Sequence, residues 1–169
     1  MEQLYEEVAP VIFDPKVMPK RVNQAAGEDL VLTSACNYYD GVTQQEAEAF
    51  YSAMKDPKDE TPVSYGLNSR LVKENGKIQE KVWKVGGLYG AAIGKIVYWL
   101  KKAEGVAENP EQKAVIAKLI EFYETGDLKT FDDYAILWVK DLDSRIDFVN
   151  GFTESYGDPL GMKQAGNLW

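Results

Sequence analysis

Apolar residues recur at helical spacing in four stretches of the chain. Over 43–55, Ala47, Phe50, Tyr51 and Met54 share one face. Thr43 stands where it can cap the first turn, Glu46 completes a T-x-x-E capping box, and Asp56-Pro57 ends the run. Between Leu88 and Glu104, Ile93, Ile96, Val97 and Leu100 follow the i, i+3, i+4, i+7 rule, with Gly105 placed as a stop. Asn109-Pro110 opens the next helix, in which Gln112 can return the capping bond. Its face is Val115, Leu119, Phe122 and Tyr123, and Gly126 closes it. A further helix spans about Thr130 to Lys140, with Phe131, Tyr134, Ala135 and Trp138 inward.

The β pattern is shorter. Two runs, Leu67–Lys73 and Lys77–Trp83, flank Glu74-Asn75-Gly76, and Asn-Gly supplies the two positive-φ positions of a type I′ hairpin turn. Residues 1–30 carry Pro10, Pro15 and Pro19, and Val11, Ile12, Phe13, Val17 and Met18 keep no long period. This predicts an extended segment lying against a core. Residues 55–62 are the most polar stretch and read as a linker. Ile146–Tyr156 alternates imperfectly and reads as extended. The expected fold class is α+β, mostly helical, with a central hairpin and a C-terminal extended segment. It forms one domain or domain fragment over 1–169: an extended segment plus helix over 1–62, then hairpin, three helices and a strand over 63–169.

Composition narrows the chemistry. The 169 residues are 45% hydrophobic and 27% charged, close to the globular average, and they include no histidine and one cysteine, Cys36. A Ser-His-Asp triad, a Cys-His pair, an internal disulfide and a His-ligated metal are therefore all outside what this sequence can build. Nineteen Lys and Arg against 27 Asp and Glu give a net charge of -8. An acidic chain without a basic stripe is a poor match to nucleic acid, whose phosphates supply most of the affinity. No stretch approaches the roughly 18 apolar residues of a membrane helix. The acidic start, Met-Glu-Gln-Leu-Tyr-Glu-Glu, lacks the basic and then apolar order of a signal peptide. The expectation is a cytoplasmic protein with no nucleic-acid or membrane partner.

Spacing by itself assembles no complete active site. Asp132/Asp133, Asp141/Asp143 and Glu154/Asp158 could each be drawn as an acidic pair, but none has EF-hand spacing, and solvated faces or caps account for them. Gly86-Gly87-Leu88-Tyr89-Gly90 lacks the Gly-Lys-Ser/Thr ending of a phosphate loop and reads as a hinge or helix start. Ser34, Ser69 and Ser155 have no histidine to activate them. Cys36 reads as a small buried hydrophobe, and Trp83, Trp99 and Trp138 read as core.

The segment Asn150-Gly-Phe-Thr-Glu-Ser-Tyr-Gly-Asp-Pro-Leu-Gly161 is more specific. It resembles the signature of the dipeptidyl peptidase III family, zinc-dependent exopeptidases that remove dipeptides from peptide N-termini. Gly151, Phe152, Glu154, Tyr156, Asp158, Pro159 and Gly161 fall on its fixed positions and Ser155 on a variable one. Tyr65-Gly-Leu-Asn-Ser-Arg-Leu-Val-Lys, the helices after it and Trp138 before Asp141 extend the resemblance to about residues 10–163. The resemblance implies that Glu154 holds a substrate's N-terminal ammonium and that Ser155 lies beside the peptide backbone. It also implies that Tyr156 donates a hydrogen bond to the scissile carbonyl as negative charge develops there. A carboxylate is the natural partner of an ammonium, and a phenol can stabilise an oxyanion without ionising.

The family's zinc centre is an H-E-x-x-x-H helix followed by an E-E-x-x-x-[DE] helix, and neither occurs in this sequence. The resemblance thus implies a fragment or truncated relative of the peptidase. Such a chain supplies a substrate-binding wall of the lower domain, holds no cofactor itself and is inactive alone; zinc belongs to the complete members. The alternative is a stand-alone, non-catalytic module that binds peptides with a free N-terminus or assembles into a homo-oligomer through uncovered apolar surface.

Overall fold

Helix, sheet and loop are assembled from local signals that the backbone obeys closely. In the computed structural model, residues 2–14, 22–150 and 157–163 are described. They form α1 (Glu2–Phe13), β1 (Tyr39–Asp40), α2 (Gln44–Met54), β2 (Ser69–Glu74), β3 (Lys77–Val82), α3 (Gly90–Glu104), α4 (Pro110–Thr125) and α5 (Leu128–Lys140). The fold class is α+β.

The capping box at α2 is present in both directions. The Glu46 N–H donates to Thr43 Oγ1 at 3.3 Å, and the Thr43 N–H donates to Glu46 Oε2 at 3.1 Å. The same Glu46 carboxylate pairs with Lys73 on β2 at 2.5 Å, which holds its pKa below the usual range and ties the helix start to the sheet. Asn75 and Gly76 adopt φ values of 51° and 77°, so β2 turns into β3 through the expected tight hairpin, with Glu74 opposite Lys77 and Ser69 opposite Val82. β1 adds a short parallel partner to the other edge of β2, Tyr39 opposite Leu71, giving the order β1-β2-β3.

The loop after β3 folds back hard. The Leu88 N–H donates to the Val82 carbonyl at 2.9 Å, and a Cβ on Gly87 would lie 2.4 Å from that same oxygen, so only glycine fits there. α3 begins at Gly90, after the glycine pair. α4 opens on Asn109, which accepts the Gln112 N–H at 2.7 Å, with Pro110 in its first turn. α5 opens on Asp127, which accepts the Thr130 N–H at 2.7 Å.

Two clusters make the core. The larger joins α3, α4 and α5 with Trp83 and Tyr38, and Phe122, Phe131 and Tyr134 stack within it. The smaller packs Val42, Ala47, Tyr51 and Leu71 between α2 and the sheet, and Leu160 and Met162 close it from outside. Tyr39 on β1 packs against both.

Three expectations need correction. The N-terminal residues 2–13 are helical, not extended, and α1 buries none of its side chains. Its apolar residues follow helical spacing once Pro10 is accepted inside the helix. Trp99 is 68% exposed and so is not core, whereas Trp83 is buried and Trp138 packs against the larger cluster. Residues 146–150 form no strand, because side chains rather than a neighbouring strand take up their backbone groups. The rest of the expected motif strand, 151–156, lies outside the described residues.

Candidate functional site

The backbone on each side of the Gly-Phe-Thr-Glu-Ser-Tyr motif is held by polar side chains, among them the exposed Glu108 and the buried Gln112 and Asp158. Glu154, Ser155 and Tyr156 themselves lie outside the described residues, as do Gly151 to Thr153. The described geometry is therefore that of the two anchors.

The upstream anchor is built at the start of α4. The Glu108 carboxylate accepts the Ile146 N–H at 2.9 Å and the Arg145 N–H at 3.2 Å. Gln112, buried in the first turn, donates from Nε2 to the Ile146 carbonyl at 2.9 Å. Asn109 donates from Nδ2 to Ser144 at 3.0 Å, and Ser144 donates on to Asp141 at 2.7 Å. Trp138 donates its indole N–H to Asp147 at 2.8 Å. At the residue just before the motif, Tyr123 donates its hydroxyl to the Asn150 side-chain oxygen. Burial pushes the Tyr123 phenol up to about 12, so it stays a donor.

The downstream anchor has more buried charge. Asp158, only 5% exposed, accepts the backbone N–H groups of Leu160 (3.1 Å), Met162 (2.8 Å) and Lys163 (2.7 Å). It also accepts the Tyr39 hydroxyl at 2.9 Å on both oxygens. One carboxylate thus organises the turn that follows the motif and bolts it to β1. Burial, with the negative Asp158 beside it, raises the Tyr39 pKa far above the ordinary phenol value.

Lys163 ends this turn and is wholly buried. Its ammonium donates to the Tyr51 hydroxyl at 2.5 Å, the Ser69 carbonyl at 2.9 Å and Ser69 Oγ at 3.1 Å. Those two hydroxyls both donate to one oxygen of Glu80, the tyrosine at 2.8 Å, and the lysine lies 4.0 Å from that oxygen. The result is an ion pair relayed through two hydroxyls, with the rings of Tyr51 and Tyr39 4.9 and 5.6 Å from the ammonium. Burial lowers the Lys163 pKa to about 8, against the opposing pull of Glu80 and Asp158.

The motif is legible in the sequence and its anchors are not. Asp158 reads there as a solvated-face or helix-cap residue, but it is buried among backbone N–H groups. Tyr51 shows only as part of the α2 apolar face, and Lys163, Tyr39 and Glu80 carry no local signal, since lysine and glutamate are ordinarily surface residues and their contacts are separated by long stretches of chain. Ser69 did fall within the Tyr65–Lys73 block that the resemblance singled out. Cys36 is half-buried, and burial pushes its thiol pKa up, which suits a packing role and not a nucleophile.

The arrangement organises backbone and does not supply a reacting group. Among the described residues no cluster of three or more His, Cys, Asp or Glu side chains is placed to hold a metal. With no histidine in the sequence, the donor set does not fit a site of two histidines and a glutamate. No helix among the described residues is long and apolar enough to cross a membrane.

Comparison with known proteins agrees with the motif. The sequence matches the family model described as peptidase family M49 over residues 29–165, which spans both anchors and the motif between them. It is 30% identical over 77 residues to dipeptidyl peptidase 3 of Rattus norvegicus, which is 46% of this chain and 10% of the rat protein. It is 31% identical to the Homo sapiens protein and 32% identical to that of Dictyostelium discoideum, again over 77 residues. The matched stretch spans about a tenth of the length of these curated relatives.

Proposed function

Since the chain belongs to peptidase family M49, we propose that it forms one wall of a peptide-binding cleft, without the metal centre that cleaves the bond. Its ligands are peptides with a free N-terminus. Glu154 accepts the terminal ammonium, Ser155 borders the peptide backbone, and Tyr156 supports the carbonyl oxygen at which charge would build in a complete enzyme. The observation that carries this reading is the family match, whose bounds enclose the motif and both of its anchors. The anchors support it physically: a carboxylate and a phenol that must meet a ligand are best presented from backbone fixed at both ends.

The residues present do not make the family's zinc site, so no step here runs through a metal. By itself the chain releases no dipeptides. The single free cysteine, half-buried, suits a reducing compartment, and we place the protein in the cytoplasm.

The test is calorimetric titration of the full chain with a short alanine peptide carrying a free N-terminus, against its N-acetylated counterpart. A hydrogen-bonded ammonium–carboxylate contact predicts that the free peptide binds about tenfold more tightly. Equal affinity removes the role of Glu154. Zinc-dependent release of dipeptides by the pure chain would overturn the non-catalytic reading.

A further inference from the structure

Two tyrosine hydroxyls hold the two ends of the motif, and they are evenly placed about its carboxylate. Asn150 precedes Glu154 by four residues and Asp158 follows it by four. Tyr123 donates its hydroxyl to the Asn150 side-chain oxygen, and Tyr39 donates its hydroxyl to Asp158 at 2.9 Å. Four residues reach at most about 14 Å, so these two contacts bound where Glu154 can stand.

Both phenols are carried on fixed backbone. Tyr123 is buried on α4 within the larger cluster. Tyr39 lies in β1, which is clamped to β2: the Leu71 N–H donates to the Tyr38 carbonyl at 2.9 Å, and Arg70 Nε donates to the Asn37 carbonyl at 2.9 Å. The Tyr39 ring packs against the larger cluster as well as the smaller, so both hydroxyls are referred to one packed body. Burial raises the pKa of both phenols, and they remain donors through neutral and mildly alkaline pH. The other anchor contacts stand farther off. Glu108 and Gln112 hold Ile146, four residues before Asn150. Lys163 lies five residues beyond Asp158 and is satisfied by Tyr51 and Ser69.

We propose that Tyr39 and Tyr123 are positioning residues for Glu154, each fixing one end of the span that carries it. This rests on the reading that Glu154 receives a peptide's terminal ammonium. Removing either hydroxyl cuts a tie without dissolving the anchor. Without the Tyr39 hydroxyl, Asp158 still accepts three backbone N–H groups and its turn stands. Without the Tyr123 hydroxyl, Glu108 and Gln112 still hold Ile146. What is lost is the fixed place of the carboxylate, on which a hydrogen-bonded ammonium contact depends.

Calorimetric titration of the full chain with the free and the N-acetylated alanine peptide tests this, on wild type, Tyr39→Phe, Tyr123→Phe and Thr43→Ala. Thr43 caps α2 and touches neither anchor, so its variant lowers stability without moving the span. Melting temperatures are read alongside. The wild type should prefer the free peptide about tenfold, each phenylalanine variant about threefold or less, and Thr43→Ala still about tenfold. The acetylated peptide offers no ammonium and should bind all four proteins alike. A phenylalanine variant that keeps the tenfold preference overturns the inference and leaves the role of Glu154 standing. Equal weakening of both peptides also overturns it, as does a Thr43→Ala variant that loses the preference, since the effect is then one of general stability. A wild type without preference overturns the reading of Glu154 and this inference together. The two phenylalanine variants are independent, so if one fails to fold the other decides.

Discussion

Lys163 has exchanged water for two hydroxyls, a carbonyl and a carboxylate beyond them, and its burial is tolerable only because all of these are present. Replacing it with methionine leaves Glu80 without its cation, although part of that carboxylate reaches solvent; the expected loss is about 3 kcal/mol in chemical denaturation. Asp158→Asn keeps the shape but puts an amide where backbone N–H groups need an acceptor, and should cost about 2 kcal/mol. The lysine also has a pH signature. Its folded pKa of about 8 lies below the ordinary 10.5, so between these values the unfolded chain binds more protons and stability rises with pH. Tyr39, Tyr51 and Tyr123 act oppositely: their folded pKa values are raised, so above about 10 the unfolded chain releases phenolic protons first and stability falls. Melting temperatures should therefore climb from about pH 8 towards 10 and then drop, and Lys163→Met should lose the climb. A melting temperature that falls steadily from neutral pH would contradict the buried cation.

Among the elements, those that declare themselves in sequence are the ones whose ends are locally specified. Asn75-Gly76 admits one tight turn, and Thr43 with Glu46 closes a box within four residues, so the hairpin and α2 are legible. Thr43→Ala should cost about 1 kcal/mol by thermal or denaturant unfolding, whereas Thr43→Ser should cost little. β1 is two residues long and parallel, and no periodicity reveals a pairing across the 32 positions that separate Tyr39 from Leu71. α1 escapes because Pro10 normally removes a helical hydrogen bond and crowds the preceding turn, which makes an extended reading the natural one. The residues from Ile146 to Asn150 mislead in the other direction: their β-favouring side chains sit on backbone that Glu108 and Gln112 satisfy without any strand.

At the scale of the molecule, the motif joins two anchors that belong to different parts of the core. Residues before it hang on α4 and the larger cluster, and residues after it hang on α2, the sheet and the smaller cluster. The motif itself is readable from sequence, since its glycines, proline and acidic residues come in a fixed order. The buried groups that fix its ends are readable only once the chain has brought Tyr39, Tyr51, Ser69 and Glu80 beside Asp158 and Lys163. On the proposed reading, Glu154 meets a peptide's terminal ammonium. The most direct measurement is a double cycle by calorimetry, with wild type and Glu154→Gln each titrated with the free and the N-acetylated peptide. A preference of about tenfold for the free peptide is expected in the wild type and none in Glu154→Gln. The same preference in both proteins would contradict it.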